Sequence, residues 1–375
     1  MKVSVYGIGT SSFGKQPGMS AARLVEAAVL EAIDDADVQL DEIDAVYVGT
    51  VFGEAGVATR TLQQVGIDRV PIITLENACA SGTTAYHEAV WSVETGRFRR
   101  VLALGVETMT AHFAGAIHPE NVDAEGRQGM ALPSVYAMSA ARYQSEFGLT
   151  DEELALVSVK NHLHGMENPR AQHRRAVTIE EVLESRMVAD PLTLLQCCSI
   201  SDASAAAVLG PTRSSVRDVR VRSTVLRSGG LWDHRSDRVW GFDLVAETAR
   251  LAYEEAGVSA ADADVIEVHD AFTIGEIVTT EALGLAPPGE GGKLLLNGHT
   301  RIGGAQPVNP SGGLLSRGHP LGATGIAQVA EIVWQLRGDA GGRQVEGARI
   351  GLVETMGGGT AGVDGNACVV TLLER

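Results

Sequence analysis

Apolar and polar positions follow the same pattern in two distant parts of the chain. The pattern is found in residues 22–50, ARLVEAAVLEAIDDADVQLDEIDAVYVGT, and again in residues 242–270, FDLVAETARLAYEEAGVSAADADVIEVHD. Each segment begins with apolar residues at helical spacing, continues through an acidic loop and ends in a β-rich run, which predicts a helix followed by a strand. Because the two segments have equal length and the same order of elements, they indicate a repeated unit.

A second pair of similar segments follows these two. It consists of residues 80–96, ASGTTAYHEAVWSVETG, and residues 323–338, ATGIAQVAEIVWQLRG, which share A-[ST]-G and then Val-Trp at the same offset. After each comes a predicted strand that ends in VETM, at residues 106–109 and again at 353–356. Two independent pairs in the same order predict a tandem duplication.

Each half is predicted to run strand, helix, strand, helix, strand, an alternation that favours a mixed or parallel sheet covered by helices. Between the halves, the stretch HFAGAIHPENVDAEGRQGM carries turn signals and few apolar repeats, in a segment too long for a simple connection. We expect an inserted loop domain there, with substrate binding as a role. The predicted boundaries are 1–110 with 205–217 for the first half, 111–204 for the insert and 218–375 for the second half.

Composition restricts the classes of protein that fit this pattern. A chain of 375 residues, 45% of them hydrophobic, can bury a large core. The net charge of -17, without a cluster of basic residues, argues against nucleic-acid binding. The sequence shows neither a leader nor an apolar run near the roughly 20 residues that span a bilayer. A cytoplasmic protein that does not enter the membrane is therefore expected.

The four cysteines, Cys79, Cys197, Cys198 and Cys368, are too few for a disulfide scaffold in a chain of this size. Adjacent Cys197 and Cys198 lack the CxxC spacing of a zinc site, so no metal is expected.

Cys79 lies where a predicted strand passes into a predicted helix. It follows the apolar VPIITLEN and precedes the small residues of ASGTT. At a helix N-terminus, unpaired N–H groups and the helix dipole favour a thiolate, so we expect a lowered pKa for the Cys79 thiol. Taken alone, a cysteine flanked by alanines is more often a packed core residue than a nucleophile.

Two histidines change this interpretation. His319 lies in NPSGGLLSRGHPLGATG, at the strand-to-helix junction of the second repeat that matches the position of Cys79. A pseudo-twofold axis between the halves would bring the two helix starts together and set a base beside the thiol, as nucleophilic catalysis requires. His269 and Asp270 end the strand of VIEVHDAFT, and strand ends are where open α/β sheets carry ligand-binding residues.

These segments resemble the thiolase superfamily, most closely the branch that contains sterol-carrier-protein-type thiolases and archaeal acetyl-CoA acetyltransferases. The matching motifs are NACASG, HDAF, NPSGGLLSRGHPLGATG, ETMGGGTAG and PLTLLQCCSISDASAAAVL, and they span essentially the whole chain. The resemblance implies a duplicated five-layered α-β-α-β-α fold with an inserted loop domain.

The same resemblance implies a set of roles. Cys79 would attack an acyl-CoA thioester, His319 would accept its proton, and an acyl-enzyme would pass its acyl group to a second substrate. His319, His269 and the amides of the Cys79 loop would form the oxyanion holes. Coenzyme A thioesters are then substrates, no metal or redox cofactor is bound, and Cys197 and Cys198 are structural.

The chain departs from the family pattern at the second catalytic cysteine. Sterol-carrier-type relatives carry it in HDCF, where this chain has Ala271, and many others carry it before the C-terminal glycines, where this chain has Thr355. Threonine is a poor general base because its hydroxyl is far from a neutral pKa. Glu354 is a candidate base if burial raises its pKa, but it also matches Glu107 of the first repeat, so a structural role is equally open.

The sequence therefore predicts a thiolase-type acyl-CoA C-acyltransferase. The alternatives are a thiolase-fold aldolase or non-Claisen acyltransferase, and a partner-dependent acyl-CoA-binding subunit. A ketoacyl synthase is disfavoured because HDAF fits that class poorly, and YGIGTSSFG lacks the full spacing of a dinucleotide-binding loop. The resemblance also implies a homodimer or tetramer and a small OB-fold, zinc-ribbon partner that helps hold CoA.

Overall fold

The computed structural model describes residues 2–115, 117, 126–232, 239–358 and 362–375. Parts of the turn-rich stretch after residue 111 and of the C-terminal glycine-rich motif lie outside these ranges. The strands are β1 (Val3–Thr10), β2 (Ala45–Gly49), β3 (Ile72–Leu75), β4 (Val101–Thr108), β5 (Met187–Ala189), β6 (Leu192–Thr193), β7 (Asp202–Pro211), β8 (Val219–Arg227), β9 (Val265–Glu267), β10 (Ile350–Gly357) and β11 (Ala367–Glu374). The helices are α1 (Ala21–Ala36), α2 (Val57–Val65), α3 (Ser81–Glu94), α4 (Leu132–Phe147), α5 (Asp151–Met166), α6 (Ile179–Glu184), α7 (Phe242–Ala256), α8 (Thr273–Ala282), α9 (Gly291–Leu296), α10 (Gly313–Arg317) and α11 (Leu321–Arg337).

The sheet shows the duplication directly. Within the described ranges, nine strands pair in the order β3-β2-β4-β7-β1-β8-β11-β10-β9. Outward from the β1–β8 junction, the order β1-β7-β4-β2 on one side matches β8-β11-β10-β9 on the other. The directions match as well, since β2–β4 and β9–β10 are parallel while β4–β7 and β10–β11 are antiparallel. The predicted tandem duplication is confirmed.

Helices lie both between and outside the two halves of the sheet. At the centre, α3 packs on α11, and these helices contact strands of both halves. On the outside, α1 covers β1 and β7 while α7 covers β8 and β11. The layers therefore run helix, sheet, helix, sheet, helix, which confirms the predicted five-layered fold.

Local sequence explains where several of these helices begin and end. The Ser20 hydroxyl caps α1 by accepting from the backbone N–H of Arg23, and the helix ends at Asp37 in a left-handed conformation. Thr150 and Glu153 form a reciprocal capping box at the start of α5. These caps satisfy N–H groups that a helix leaves without partners at its first turn.

The central helices approach each other so closely that glycine is required. A Cβ on Gly105 would lie 2.2 Å from the carbonyl oxygen of Gly322, and one on Gly82 would lie 2.5 Å from the same atom. No real Cβ tolerates such contacts with a backbone atom. The small residues of the repeated A-[ST]-G motif therefore allow α11 to rest on α3 and β4.

The segment between β4 and β7 packs on the second half of the molecule. Its helix α5 contacts α8, α9 and α10. Tyr136, Tyr143 and Leu154 of this segment share one buried cluster with Phe272 and Ile277. The segment thus packs against the residues that follow β9 in the second half.

Among the described residues, no helix combines the length and the apolarity needed to cross a bilayer.

We expect the Gly105→Ala substitution to lower the free energy of unfolding by about 1–3 kcal/mol, because the new methyl group overpacks the contact with α11. Urea denaturation followed by circular dichroism measures this loss. The matched control is Gly230→Ala, where a Cβ meets no atom within 4 Å, and its change should stay within about 0.5 kcal/mol. Equal stability of the two variants would contradict the close packing.

Candidate active site

Cys79 lies in a tight turn between β3 and α3. Ala78 adopts a φ of 49°, in the left-handed region that residues with a Cβ seldom occupy. The Ser81 hydroxyl stabilises this turn by donating to the carbonyl of Ala78 at 2.6 Å and accepting from the N–H of Asn77 at 2.8 Å. A locally strained turn held by hydrogen bonds is a frequent feature of functional sites, and here it sets Cys79 at the start of α3.

His319 lies beside Cys79 with its ring orientation fixed. Its Nε2 is 3.3 Å from the Cys79 Sγ, and its Nδ1 is 2.7 Å from the Thr324 hydroxyl oxygen. That hydroxyl donates its single proton to the carbonyl of Pro320 at 3.0 Å, so it accepts a proton from Nδ1. The Nε2 lone pair therefore faces the thiol, which is the arrangement of a nucleophile, a general base and an orienting group.

His269 completes a buried group of three. Its ring centroid lies 5.0 Å from that of His319, with the rings nearly perpendicular at 76°. Among the described side chains, the His269 Nδ1 is buried without a hydrogen-bond partner. Because buried polar atoms are usually paired, an unpaired nitrogen beside the nucleophile is consistent with a donor kept for substrate.

Burial keeps this group neutral in the resting protein. Desolvation raises the pKa of the Cys79 thiol to about 12, although the backbone amides of Gly358 and Cys79 oppose it. Desolvation also lowers the pKa of His319 well below its usual value, with His269 and Arg317 adding to the effect, and lowers that of His269 to about 3. The expectation of a lowered pKa for Cys79 is wrong, because loss of water outweighs the helix N-terminus. Proton transfer to His319 must therefore accompany attack by sulfur.

A cavity of about 650 Å³, counted to its open mouth, reaches these three residues. Its walls are mainly apolar, and Leu132, Pro133 and Tyr136 of the inserted segment form one side. A concave, mainly apolar pocket with a few polar groups is typical of small-molecule sites. Substrate binding is the role predicted for the inserted segment, and these residues are where the segment would contact a substrate.

Glu354 and Thr355 do not line the cavity, whereas Ala271 does. The Glu354 carboxylate accepts from the backbone N–H of His269 at 2.9 Å and from the Cys368 thiol at 3.7 Å, and burial raises its pKa to about 7. The Thr355 hydroxyl donates to the Gln328 side chain at 2.6 Å. The structure thus brings Cys79, His319 and His269 together and leaves the two further candidates, Glu354 and Thr355, outside the cavity lining.

The repeated VETM motif supplies a matching carboxylate in the first half. Glu107 accepts from the N–H groups of Val51 at 3.0 Å and Phe52 at 2.9 Å. It also accepts from the N–H of Gly322 at 2.9 Å. Glu107 therefore anchors the start of α11 just after His319, as Glu354 anchors the backbone of His269.

Three residues of the site were not predicted as site residues from the sequence. Thr324 orients His319, and its only sequence signal is its place in the second A-[ST]-G. Tyr136 lines the cavity and stacks on Phe272 at 4.4 Å, without any motif to mark it. Cys198 also lines the cavity.

The three buried side chains also form a set of potential metal ligands. One ligand atom from each of Cys79, His269 and His319 lies within 4.8 Å of the others. Thiolate and imidazole are ligands that suit Zn²⁺. The set could not be predicted from cysteine spacing, because its members come from three distant segments. A metal held there would occupy both the nucleophile and its base.

The geometry defines a class of protein, a duplicated α/β enzyme with a Cys–His pair for acyl transfer. Family comparison agrees with it: the family described as Thiolase, N-terminal domain matches residues 6–213, and the one described as Thiolase C-terminal domain-like matches residues 232–365. The chain belongs to the thiolase family and is an enzyme of the acyltransferase class.

Several curated proteins are similar along nearly the whole chain. Acetyl-CoA acetyltransferase of Methanothermobacter thermautotrophicus is 42% identical, over 96% of this chain and 98% of its own length. Benzoylsuccinyl-CoA thiolase subunit BbsB of Thauera aromatica is 39% identical, over 96% and 95%. Human sterol carrier protein 2 is 36% identical, over 99% of this chain and 71% of its own length. The predicted branch is confirmed.

Solved structures show the same fold. The Ltp2-ChsH2(DUF35) aldolase superposes with a TM-score of 0.83 at 24% identity, covering 100% of this chain and 98% of that one. Human mitochondrial 3-ketoacyl-CoA thiolase in complex with CoA superposes with a TM-score of 0.75 at 17% identity, over the same shares.

We expect alkylation of Cys79 by iodoacetamide to accelerate about tenfold per pH unit from pH 7 to pH 10, because the thiolate is the reactive form and the Cys79 pKa is raised. Peptide mass mapping after timed quenching follows the reaction. Free cysteine, with a thiol pKa of about 8.5, serves as the parallel control and should level off within this range. A plateau for Cys79 below pH 8 would show that the helix N-terminus outweighs burial.

The Thr324→Val substitution should slow acylation of Cys79 by about 10²–10⁴-fold, because it removes the hydroxyl that fixes the His319 tautomer while keeping the side-chain shape. Thr324→Ser retains the hydroxyl and should stay close to the wild-type rate. Stopped-time intact-mass measurement of the acyl adduct compares the two variants. Equal rates would show that His319 needs no orienting group.

Proposed function

We propose that the protein is a thiolase-type acyl-CoA C-acyltransferase that works through an acyl-cysteine on Cys79. The observation that carries this proposal is the 3.3 Å contact between the His319 Nε2 and the Cys79 Sγ, with Nδ1 held by Thr324. The acetyl-CoA acetyltransferase and the benzoylsuccinyl-CoA thiolase subunit among the relatives support CoA thioesters as the substrates.

In the first half-reaction, the Cys79 sulfur attacks a carbonyl carbon while its proton passes to the His319 Nε2. Sulfur and base start neutral, so the charge that develops is the pair formed by the oxyanion and the imidazolium. The oxyanion needs donors, and His269 together with the amides of Gly358 and Cys79 lies at this end of the cavity. When a CoA thiolate leaves, the His319 imidazolium returns the proton to it.

In the second half-reaction, the acyl group on Cys79 passes to a second substrate. For a C-acyltransferase this acceptor is the α-carbon of another thioester, which must lose a proton before it attacks. Neither Ala271 nor Thr355 supplies the thiol that relatives use for that proton. Glu354 and Thr355 remain proposals for this role. Because neither lines the cavity, either side chain would have to move to reach the α-carbon.

A thiolase-fold aldolase is the second candidate function. The observation that favours it is the absence of a thiol at both usual positions, together with the close superposition on the Ltp2-ChsH2(DUF35) aldolase. Such an enzyme would cleave a β-hydroxyacyl-CoA without an acyl-cysteine. The intact Cys79–His319 pair favours acyl transfer, because an aldolase has no need of an activated nucleophile.

We also propose that the protein forms a homodimer through β3. This strand lies at the end of the sheet, pairs only with β2 among the described strands, and leaves the apolar Ile72, Ile73 and Leu75 half-buried. Unpaired apolar edges are usually covered in native proteins. Because the Cys79 turn follows β3 directly, a second copy paired there would lie next to the active site.

A small OB-fold, zinc-ribbon partner that helps hold CoA is proposed from the family resemblance. The name of the aldolase neighbour pairs that enzyme with a DUF35 protein, which supports a partner-dependent arrangement. The 30 lysines and arginines are outnumbered by 47 acidic residues and form no obvious basic patch in the sequence for the CoA phosphates. Tight CoA binding by the isolated chain, measured by calorimetry, would argue against this dependence.

We expect Cys79→Ala to lose CoA-dependent cleavage of acetoacetyl-CoA by at least about 10³-fold, together with the acyl adduct seen by intact mass, because the nucleophile is gone. Cys197→Ala is the matched control, since the Cys197 thiol bonds the Thr193 carbonyl at 3.3 Å and does not line the cavity. Wild-type activity in Cys79→Ala would eliminate the mechanism. Retro-aldol cleavage without thiolysis or adduct would establish the aldolase instead.

A further inference from the structure

The proposed acyl transfer leaves the proton of the acceptor α-carbon without an assigned carrier. General acid–base catalysis requires a group within hydrogen-bond reach of the proton that moves. Ala271 has no exchangeable side-chain proton, and the Thr355 hydroxyl is fully buried and bonded to Gln328. The Glu354 carboxylate accepts from the His269 backbone N–H and from the Cys368 thiol, and it does not line the cavity. Among the residues that the structure describes, we therefore look for the carrier in the side chains that line the cavity.

Few ionisable groups line the cavity in the described part of the chain: Cys79, His269, His319, Tyr136 and Cys198. The first three already have roles in acyl transfer. Tyr136 is packed between aromatic rings, stacked on Phe272 at 4.4 Å and edge-on to Trp240 at 5.4 Å. This leaves Cys198 as a second thiol facing the space where the substrate would bind.

The backbone places Cys198 directly beside the position that lacks its thiol. The N–H of Cys198 donates to the carbonyl of Ala271 at 2.8 Å, and Cys197 forms an antiparallel bridge with Phe272. On the other side, Ile200 forms a parallel bridge with His319. The segment 197–200 thus runs between the HDAF motif and the histidine that activates Cys79.

The two adjacent cysteines differ in their surroundings. The Cys197 thiol bonds the Thr193 carbonyl at 3.3 Å and points away from the lining. Within the described ranges, the Cys198 thiol bonds no carbonyl in this way, and Cys198 lines the same cavity as Cys79. Successive side chains of an extended segment face opposite sides, which explains why only one of the pair reaches the site.

We propose that Cys198 is the second catalytic thiol of the enzyme, supplying from the neighbouring segment the acid/base group that Ala271 does not provide. The inference rests on the proposed thiolase function and names the residue that handles the α-proton of the acceptor thioester.

The chemistry balances with these two thiols and one base. In the cleavage direction, Cys79 attacks the keto carbon of a 3-ketoacyl-CoA and its proton moves to His319. The bond between the α- and β-carbons breaks, and the enolate of the departing thioester takes the proton of Cys198. Free CoA then gives its thiol proton to the Cys198 thiolate and attacks the acyl group on Cys79, whose leaving sulfur recovers its proton from His319.

The electrostatics of Cys198 match this role. Burial raises the pKa of the Cys198 thiol well above its usual value, and the nearby Cys197, Cys79 and Asp270 raise it further. Cys198 is therefore protonated at rest and ready to donate to an enolate. In the opposite direction its thiolate is a strong base, as removal of a weakly acidic α-proton requires.

The test separates acylation from α-proton chemistry in the full-length protein. Wild type, Cys198→Ala, Cys198→Ser, Tyr136→Phe and the control Cys197→Ala are each incubated with acetyl-CoA in D₂O. Intact mass reports the acetyl adduct on Cys79, and mass spectrometry of recovered acetyl-CoA reports deuterium in its methyl group. Formation of the adduct also shows that a variant is folded.

We expect both Cys198 variants to keep the adduct and to lose deuterium incorporation by about 10²-fold or more, whereas Cys197→Ala keeps both signals. Wild-type incorporation in Cys198→Ala, or loss of incorporation in Tyr136→Phe alone, would overturn the proposal. Loss of the adduct in both Cys198 variants would also overturn it, by assigning Cys198 to acylation. If the wild-type protein forms the adduct but incorporates no deuterium, Cys198 is not the acid/base for the α-carbon. If the wild-type protein forms no adduct, the proposed function itself is wrong.

Discussion

The close contact between α3 and α11 is the constraint on which the site depends. A Cβ on Gly82 of α3 or on Gly105 of β4 would lie within 2.5 Å of the carbonyl oxygen of Gly322 in α11. The N-terminal turns of α3 and α11 therefore meet with only backbone between them. That distance brings the turn before α3 and the turn before α11 together. Cys79 and His319 are therefore partners because the duplicated halves pack across a pseudo-twofold axis, although they are far apart in sequence.

The same packing excludes water, and this decides the charge state of the site. A thiol at an exposed helix start would be expected to ionise readily, but Cys79 is only 6% exposed and His319 only 4%. The cost of forming a charge in such surroundings exceeds the gain from the helix N-terminus. A neutral pair that forms charge only as the substrate reacts also keeps the nucleophile protected between turnovers.

Much of this arrangement could be predicted from the sequence, because duplication makes distant residues equivalent. Matching A-[ST]-G motifs placed Cys79 and His319 at equivalent strand-to-helix junctions, and matching VETM motifs aligned Glu107 with Glu354. The contributions of Cys198 and Tyr136 could not be predicted, because they reach the cavity through the packing of the inserted segment, which has no counterpart in the other half. The pKa of Cys79 was mispredicted for a related reason, since burial is a property of the assembled core.

The repeats also show how a symmetrical frame acquires two different catalytic residues. Ser81 and Thr324 occupy equivalent places, and each hydroxyl donates to a backbone carbonyl in the turn before its helix, that of Ala78 and that of Pro320. In the first half this bond shapes the turn that presents Cys79. In the second half it leaves the hydroxyl oxygen free to accept from His319 and so turns a lone pair toward the thiol. Hydroxyls at equivalent places in the two repeats thus present the nucleophile in one and orient the base in the other.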